Sequence, residues 1–210
     1  MKQILCFGDS NTFGSDPSPE GFRHPYHLRW PGIVQQLLGE EFYVIEEGMG
    51  GRTTVFSDPL EPMRCGISYL PVALQSHQPL DLVILSLGTN DCKGMFSASP
   101  RVIAAGMERL VQTVQRFPFG GQTKPPKILI VSPIHMGKEM EQCPFASLDE
   151  ESARKAEQLA PLYKQVAEQH GCVFLDASMV AKPGCDQIHM DADSHAALAK
   201  EIANKIKELF

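Results

Sequence analysis

The sequence predicts an α/β fold in which helices cover both faces of a parallel sheet. Apolar runs of strand length alternate with segments of helical periodicity five times along the chain, an order typical of right-handed βαβ crossovers. The apolar runs are continuous rather than alternating, as expected of strands that are buried on both faces. Together these observations predict a doubly wound α/β/α sandwich.

Five runs are predicted to form the strands of this sheet. Four are strongly apolar, and FYVIEEG (42–48), the second in chain order, is weaker. The four strong runs are QILCFG (3–8), LVILSLG (82–88), KILIVSP (127–133) and CVFLDA (172–177).

Three longer segments have the apolar spacing of one helix face, namely 100–117, 149–169 and about 192–208. Pro161 lies inside the second pattern. We expect a kink or a restart of the helix there, because proline removes a backbone hydrogen bond and clashes with the preceding turn.

Two shorter helices are predicted over WPGIVQQLLG and GISYLPVALQSH. The segments 15–29 and 134–148 lack clear periodicity and are predicted as long loops. Long loops in a compact domain often belong to a site.

The composition narrows the class of protein. A chain of 210 residues fits one domain, here predicted over 1–210, and needs no disulfide or metal to stabilise its core. The net charge of −6, without a run of lysine and arginine, argues against a nucleic-acid partner. No apolar stretch approaches the length of about 18 residues that a membrane span needs. Six widely spaced cysteines and no visible secretory signal predict reduced thiols and a cytoplasmic location.

Polar or glycine-rich segments follow each predicted strand. In an open parallel sheet the carboxyl ends of the strands form one rim, and sites lie there. We therefore expect five segments to converge: GDSN (8–11), GMGGRTT (48–54), GTND (88–91), SPIH (132–135) and CDQIHMD (185–191).

Some of these residues suit acyl transfer. Asp186 and His189 stand three residues apart in a turn, so the carboxylate can reach the imidazole, fix its tautomer and stabilise its protonated form. Asn90 and the N–H of Gly51 are candidate donors to a developing oxyanion. Each signal has a structural alternative, because Gly-Asp-Ser is a common turn and the Asp-His pair could lie on the surface near a helix start. The first segment matches none of the P-loop, GxGxxG and GxSxG patterns.

The other histidines have no carboxylate at such a spacing and are predicted to lie on the surface or in loops: His24, His27, His77, His135, His170 and His195. His135 is the one worth testing, because it follows a strand end. A metal site of Asp191, Asp193 and His195 is conceivable, but an acidic cap at the start of the last helix explains these carboxylates better. No metal is expected.

Taken together, the motifs resemble those of the SGNH (GDSL-type) hydrolases. Gly8-Asp9-Ser10, GMGGRT, Gly88-Thr89-Asn90-Asp91 and Asp186-x-x-His189 occur in that family's order and approximate spacing, and the resemblance extends from residue 4 to the last helix. It implies a flavodoxin-like three-layer α/β/α sandwich with a five-stranded parallel sheet, and catalysis without metal or cofactor. It also implies Ser10 as nucleophile, His189 as general base and acid, and Asp186 as the residue that orients His189. The implied oxyanion hole consists of the Ser10 N–H, the Gly51 N–H and the Asn90 side chain.

Finer features resemble the bacterial arylesterase branch of this family. They are VIEEGMGGRTT, RWPG (29–32), SYLP (68–71) and PLDLVI (79–84), with Glu46-Glu47-Gly48 where the second block of the broader family begins with an asparagine. The resemblance implies a serine esterase acting on short-chain or aryl esters. Some members of the branch also transfer acyl groups to alcohols, and it includes oligomers, so a homo-oligomer is a further expectation.

The expected partner is a small ester, with no nucleic acid and no membrane. Trp30, Phe13, Phe56 and Phe96 are candidates for an apolar acyl or aryl pocket, although core packing explains each at least as well. A carbohydrate deacetylase or thioesterase with the same triad is the alternative within enzymes. A non-catalytic α/β binding module is the alternative outside them.

Overall fold

Five strands form one parallel sheet in the computed structural model, which describes residues 1–210. The strand order is β2-β1-β3-β4-β5, which is that of flavodoxin-like sheets. The predicted fold class is therefore confirmed. The strands are β1 (Lys2–Gly8), β2 (Phe42–Gly48), β3 (Leu82–Ser86), β4 (Lys127–Ser132) and β5 (Val173–Asp176).

Seven α-helices lie between and after the strands. None of them is long and apolar enough to cross a membrane. They are α1 (Ser10–Phe13), α2 (Trp30–Leu38), α3 (Gly66–His77), α4 (Pro100–Arg116), α5 (Glu150–Ala156), α6 (Leu159–His170) and α7 (Ala192–Leu209).

The helices cover both faces of the sheet. α2 and α7 pack on one face, and α3, α4 and α6 pack on the other. Successive residues of β1 point to opposite layers: Leu5 and Phe7 join the apolar cluster with α3, α4 and α6, whereas Ile4 and Cys6 join the cluster with α2 and α7. Because both faces are covered, the strand is apolar without alternation from Ile4 to Phe7, which explains the continuous runs in the sequence.

The expected interruption near Pro161 is confirmed. α5 ends at Ala156 and α6 begins at Leu159, so that Pro161 occupies the third position of the new helix. In the first turn of a helix a backbone N–H has no intrahelical partner, and proline is tolerated there. The restart thus removes the conflict between the proline and the helical pattern.

Candidate active site

Ser10 stands at the turn between β1 and α1, and small residues fix this turn. A Cβ on Gly8 would lie 2.0 Å from Thr12 Oγ1, so a larger residue would disrupt the passage from strand to helix. Asp9 caps α1, because its Oδ1 accepts a hydrogen bond from the Asn11 N–H at 3.0 Å. Ser10 is the first residue of the helix, where the N–H has no intrahelical partner.

Asp186 and His189 form a hydrogen-bonded pair in the turn that precedes α7. His189 Nδ1 lies 2.6 Å from Asp186 Oδ2, and Asp186 Oδ1 accepts the backbone N–H groups of His189 at 2.8 Å and Ile188 at 2.9 Å. Burial by itself would raise the pKa of Asp186, but these hydrogen bonds and the His189 charge outweigh it and lower that pKa below 3.8. Asp186 is therefore ionised at neutral pH and orients the His189 ring.

Asn11 connects the serine turn to the histidine turn. Its Nδ2 donates to the Ile188 carbonyl at 3.3 Å, and its Oδ1 accepts the Met190 N–H at 2.9 Å. Because these two residues flank His189, one buried side chain next to Ser10 fixes the position of the histidine. The motif analysis gave Asn11 no role, and its partners, 177 and 179 residues away, leave no local signal.

Gly51 and Asn90 lie at the same rim. Gly51 has a φ of 73°, in the left-handed region that favours glycine, and its N–H has no hydrogen-bond partner in the chain. Asn90 Nδ2 donates to the Arg52 carbonyl at 3.1 Å, which leaves its second N–H for a ligand. The Arg52 guanidinium donates to the Gly8 carbonyl at 2.9 Å, so the segment after β2 is held against the end of β1.

Two buried carboxyl groups, Asp9 and Asp91, stabilise these segments without facing the cleft. Asp91 accepts the Thr54 N–H at 3.0 and 3.1 Å and also bonds the Thr54 hydroxyl. Burial raises the pKa of Asp91 to about 7 and the pKa of Asp9 to about 6, against the opposing effect of their hydrogen bonds. The contrast with the lowered pKa of Asp186 separates the structural carboxyls from the carboxylate that serves His189.

One cleft of about 670 Å³ opens at the carboxyl ends of the strands. Ser10, Gly51, Asn90, Asp186 and His189 all line it. The structure thus brings together every residue that the motifs proposed for catalysis and for the oxyanion hole.

The two predicted long loops contribute walls of this cleft, through residues within 15–22 and 144–148. Phe145 packs edge-on against the His189 ring, with ring centroids 5.4 Å apart. Gln187 attaches the 134–148 loop to the histidine turn, because its carbonyl accepts the Gly137 N–H at 2.8 Å and its Oε1 accepts the Glu139 N–H at 3.2 Å.

The four aromatic residues proposed for the pocket do not line the cleft. Trp30 is 1% exposed and packs in the core with α7. Phe56 and Phe96 stack on each other, with centroids 5.1 Å apart, against the opposite apolar cluster. The Phe13 ring lies beneath the guanidinium of Arg23, 4.0 Å from its centroid. Core packing and local stacking, rather than substrate, account for these side chains.

Phe22 and Phe145 form the aromatic walls instead. Both lie in aperiodic loops, where no apolar spacing marks a side chain as important. The charged or hydroxylated side chains that line the cleft include Asp16, Ser18, Glu61, Arg64 and Lys93. The cleft is therefore more polar than the sequence predicts.

Two of the histidines predicted to lie on the surface or in loops are buried: His195, which lies in α7 against the prediction, and His24, which lies in the predicted 15–29 loop. His195 is 0% and His24 8% exposed, and their rings meet edge to face at 5.2 Å. His195 Nδ1 accepts a hydrogen bond from the backbone N–H of Trp30 at 3.2 Å, and burial lowers the pKa of His195 to about 3. Asp191 caps α7, which confirms an acidic cap and selects it over Asp193. His135 is exposed and does not line the cleft.

The fold and the cleft define a class of protein, the SGNH-type acylhydrolases, in which loops at the carboxyl ends of five parallel strands carry the site. The family model for the GDSL-like lipases and acylhydrolases matches residues 6–197, and the chain belongs to this family. Among curated proteins, none matches the chain.

Solved structures support the same assignment. The chain is similar to the M. smegmatis aryl esterase, with a TM-score of 0.93 and 39% identity over 100% of both chains. It is also similar to Est24, a carbohydrate acetylesterase from Sinorhizobium meliloti, with a TM-score of 0.93 and 38% identity over 100% of both chains. The resemblance inferred from the motifs is confirmed, and the protein is a carboxylic ester hydrolase.

Proposed function

We propose that the protein is a serine esterase that cleaves short-chain or aryl carboxylic esters through an acyl-enzyme, with Ser10 as nucleophile, His189 as general base and acid, and Asp186 as the orienting carboxylate. The observation that carries the proposal is the 2.6 Å contact between His189 Nδ1 and Asp186 in a cleft that Ser10 also lines. A serine that served only a turn would need no such pair in the same cleft.

In the proposed reaction, His189 Nε2 takes the proton of the Ser10 hydroxyl as Oγ attacks the ester carbonyl carbon. The bond to the alcohol oxygen then breaks, and the imidazolium protonates the leaving alkoxide. Water, deprotonated by the same nitrogen, releases the carboxylic acid and regenerates Ser10. Ionised Asp186 stabilises the imidazolium in both halves of the reaction.

The proposed oxyanion hole consists of the Ser10 N–H, the Gly51 N–H and the Asn90 amide. Its support is that the Gly51 N–H has no partner in the chain and that Asn90 uses only one of its two amide hydrogens internally. Such donors act on charge that develops in the transition state, and each is typically worth about 3 kcal/mol.

A fluorophosphonate probe tests the nucleophile. We expect labelling of the wild type and none of Ser10→Ala, because the probe reacts with an activated serine. Ser76→Ala is the matched control, since Ser76 is exposed on α3, and it should be labelled like the wild type. Labelling that persists in Ser10→Ala would contradict the proposal.

A carbohydrate deacetylase is the second candidate function. The polar side chains of the cleft, such as Asp16 and Ser18, suit sugar hydroxyls, and a carbohydrate acetylesterase is among the similar structures. A panel of aryl acetates, acetylated sugars and acyl-thioesters separates the candidates by their specificity constants, with Ser10→Ala as the blank for each.

We further propose acyl transfer to alcohols, a homo-oligomer and a cytoplasmic location. Ser10 and His189 are only 6% and 8% exposed, which limits the access of water to the acyl-enzyme. Exposed apolar side chains such as Phe22, Leu60 and Met63 would be covered in an oligomer. All six cysteines are free thiols, which suits a reducing compartment. The ratio of transfer product to hydrolysis product in the presence of an added alcohol tests acyl transfer. Light scattering tests the oligomeric state.

A further inference from the structure

Arg64 lies against the backbone that carries the proposed oxyanion donor. A Cβ placed on Gly51 would be 2.7 Å from Glu61 Oε2, 3.1 Å from Arg64 Nε and 3.2 Å from Arg64 Cδ. The Arg64 carbonyl accepts the Thr53 N–H at 2.9 Å and the Thr53 hydroxyl at 3.3 Å, so the base of this side chain is fixed. The side chain itself lines the cleft.

Arg64 lies near Glu61, but no carboxylate of the chain pairs with its charge, and Glu61 Oε2 contacts Lys93 Nζ instead. The Arg64 side chain makes no hydrogen bond or ion pair, and Nε is buried without an acceptor. Lys93, the other lysine or arginine of the cleft, is paired instead: its Nζ lies 2.8 Å from Asp58 Oδ2 and 3.3 Å from Glu61 Oε2. The remaining arginines either bond an acceptor in the chain, as Arg23, Arg29, Arg52 and Arg154 do, or are exposed on α4, as Arg101, Arg109 and Arg116 are.

A half-buried guanidinium without an acceptor favours a ligand that supplies one. A buried N–H is costly when it is unpaired, and a carboxylate matches the planar fork of a guanidinium in a bidentate contact. The ligand would lie next to Gly51, where the proposed reaction holds the ester carbonyl.

We propose that Arg64 binds a carboxylate on the substrate, so that the preferred substrates are small esters bearing an anionic group in the acyl or the alcohol part. The inference rests on the proposed esterase function and names the substrate class of the same cleft. Arg64 acts as a specificity residue in this scheme, and it takes no part in proton transfer.

Two matched pairs of esters test the proposal. 4-Nitrophenyl hemisuccinate is compared with 4-nitrophenyl butyrate for the acyl part, and 4-acetoxybenzoate with phenyl acetate for the alcohol part. The readout is the ratio of kcat/KM for the anionic ester to kcat/KM for the neutral one. A general loss of activity cancels in this ratio.

Arg64→Gln should lower the ratio about ten- to a hundredfold for at least one pair, the size expected for a hydrogen bond to a charged group. Arg64→Lys, which keeps the charge without the fork, should lower it less. Arg101→Gln, which removes an exposed arginine from the start of α4, should leave the ratio and the basal activity unchanged. Ratios that stay unchanged in Arg64→Gln for both pairs would overturn the proposal.

A binding measurement separates this proposal from the esterase proposal. Calorimetry on Ser10→Ala should detect benzoate but not benzamide, and Arg64→Gln in that background should remove benzoate binding. Equal binding of benzoate and benzamide would overturn the role of Arg64. Failure of the wild type to hydrolyse any of the four esters would overturn the esterase function, and the benzoate result would still decide the role of Arg64.

Discussion

His189 and His195 lie six residues apart in the sequence, one on each side of the start of α7, yet they occupy opposite environments. His189 faces the cleft and holds a carboxylate on Nδ1 at 2.6 Å. His195 is buried in the core, where its Nδ1 accepts a hydrogen bond from the backbone N–H of Trp30 at 3.2 Å and its Nε2 has no partner.

The difference shows what makes a histidine useful for proton transfer. A carboxylate partner stabilises the protonated ring, and a free nitrogen facing a cleft allows exchange with substrate. His195 has neither, and burial lowers its pKa to about 3, so it remains a neutral acceptor for a helix N–H. Three predictions test this contrast.

The largest effect is expected from His189→Ala compared with His195→Ala. His189→Ala should lower kcat for 4-nitrophenyl acetate by about 10⁴-fold or more, as loss of a triad histidine does elsewhere, with little change in the free energy of unfolding. His195→Ala should lower the free energy of unfolding by about 2–4 kcal/mol, because it leaves a cavity and a Trp30 N–H without an acceptor.

Steady-state kinetics and urea denaturation measure both quantities for each variant. Activity is expressed per folded molecule, so that a loss of stability is not mistaken for a loss of chemistry. A folded His195→Ala protein whose kcat has fallen as far as that of His189→Ala would contradict the assignment of proton transfer to His189 alone.

The next effect concerns the partner of His189. Asp186→Asn should lower kcat by about 10³- to 10⁴-fold, because an amide stabilises neither the required tautomer nor the imidazolium. Asp191→Asn is the matched control, since asparagine can also cap α7, and its kcat should equal that of the wild type. Equal kcat values for the two variants would remove Asp186 from the proposed mechanism.

The smallest effect is the pH dependence of stability that His195 contributes. Its pKa is about 3 in the fold against 6.5 ordinarily, so below pH 6.5 the unfolded chain binds a proton that the folded chain does not. The stabilising contribution is therefore present above pH 6.5 and declines as the pH falls towards 3. Asp9 and Asp91 act in the opposite sense: their contributions are present below pH 3.8 and are lost as the pH rises through about 6 and about 7.

A comparison of the wild type with His195→Ala isolates the contribution of His195, because Asp9 and Asp91 contribute to the stability of both proteins. The difference in unfolding free energy between the wild type and His195→Ala should be smaller at pH 5 than at pH 7 by about 2 kcal/mol. Urea denaturation at the two pH values measures it, with His135→Ala, at an exposed position, as the control. A difference that is the same at both pH values would show that His195 takes up a proton in the folded state.

Much of the fold and of the candidate site could be predicted from local patterns. The continuous apolar runs predicted the five strands, and Pro161 predicted the break between α5 and α6. Asp186 and His189 were recognisable because their contact is local, within one turn. Ser10, Gly51 and Asn90 could be grouped because parallel strands deliver their carboxyl ends to one rim.

Which side chains of the loops form the walls of the cleft could not be predicted in this way. Trp30 was proposed for the pocket but fills the core, because only the packing of α2 against α7 decides which way its side chain points. Phe22 and Phe145 line the cleft from loops that have no periodicity. Arg64 is unpaired because no hydrogen-bond acceptor of the fold reaches its side chain, and the residues that surround it in space cannot be read from the sequence.

Backbone preferences, apolar periodicity and short-range contacts are local, so the amino-acid sequence was enough to predict the layer architecture, the rim on which the site lies and the Asp186–His189 pair. The folded chain was needed to show which histidine is buried, which aromatic rings face the cleft and which cation lacks a partner. These properties depend on contacts between residues distant in sequence, such as the bonds from Asn11 to both sides of His189. The burial and the pairing of a side chain depend on several segments that pack around it, so they cannot be predicted from one segment alone.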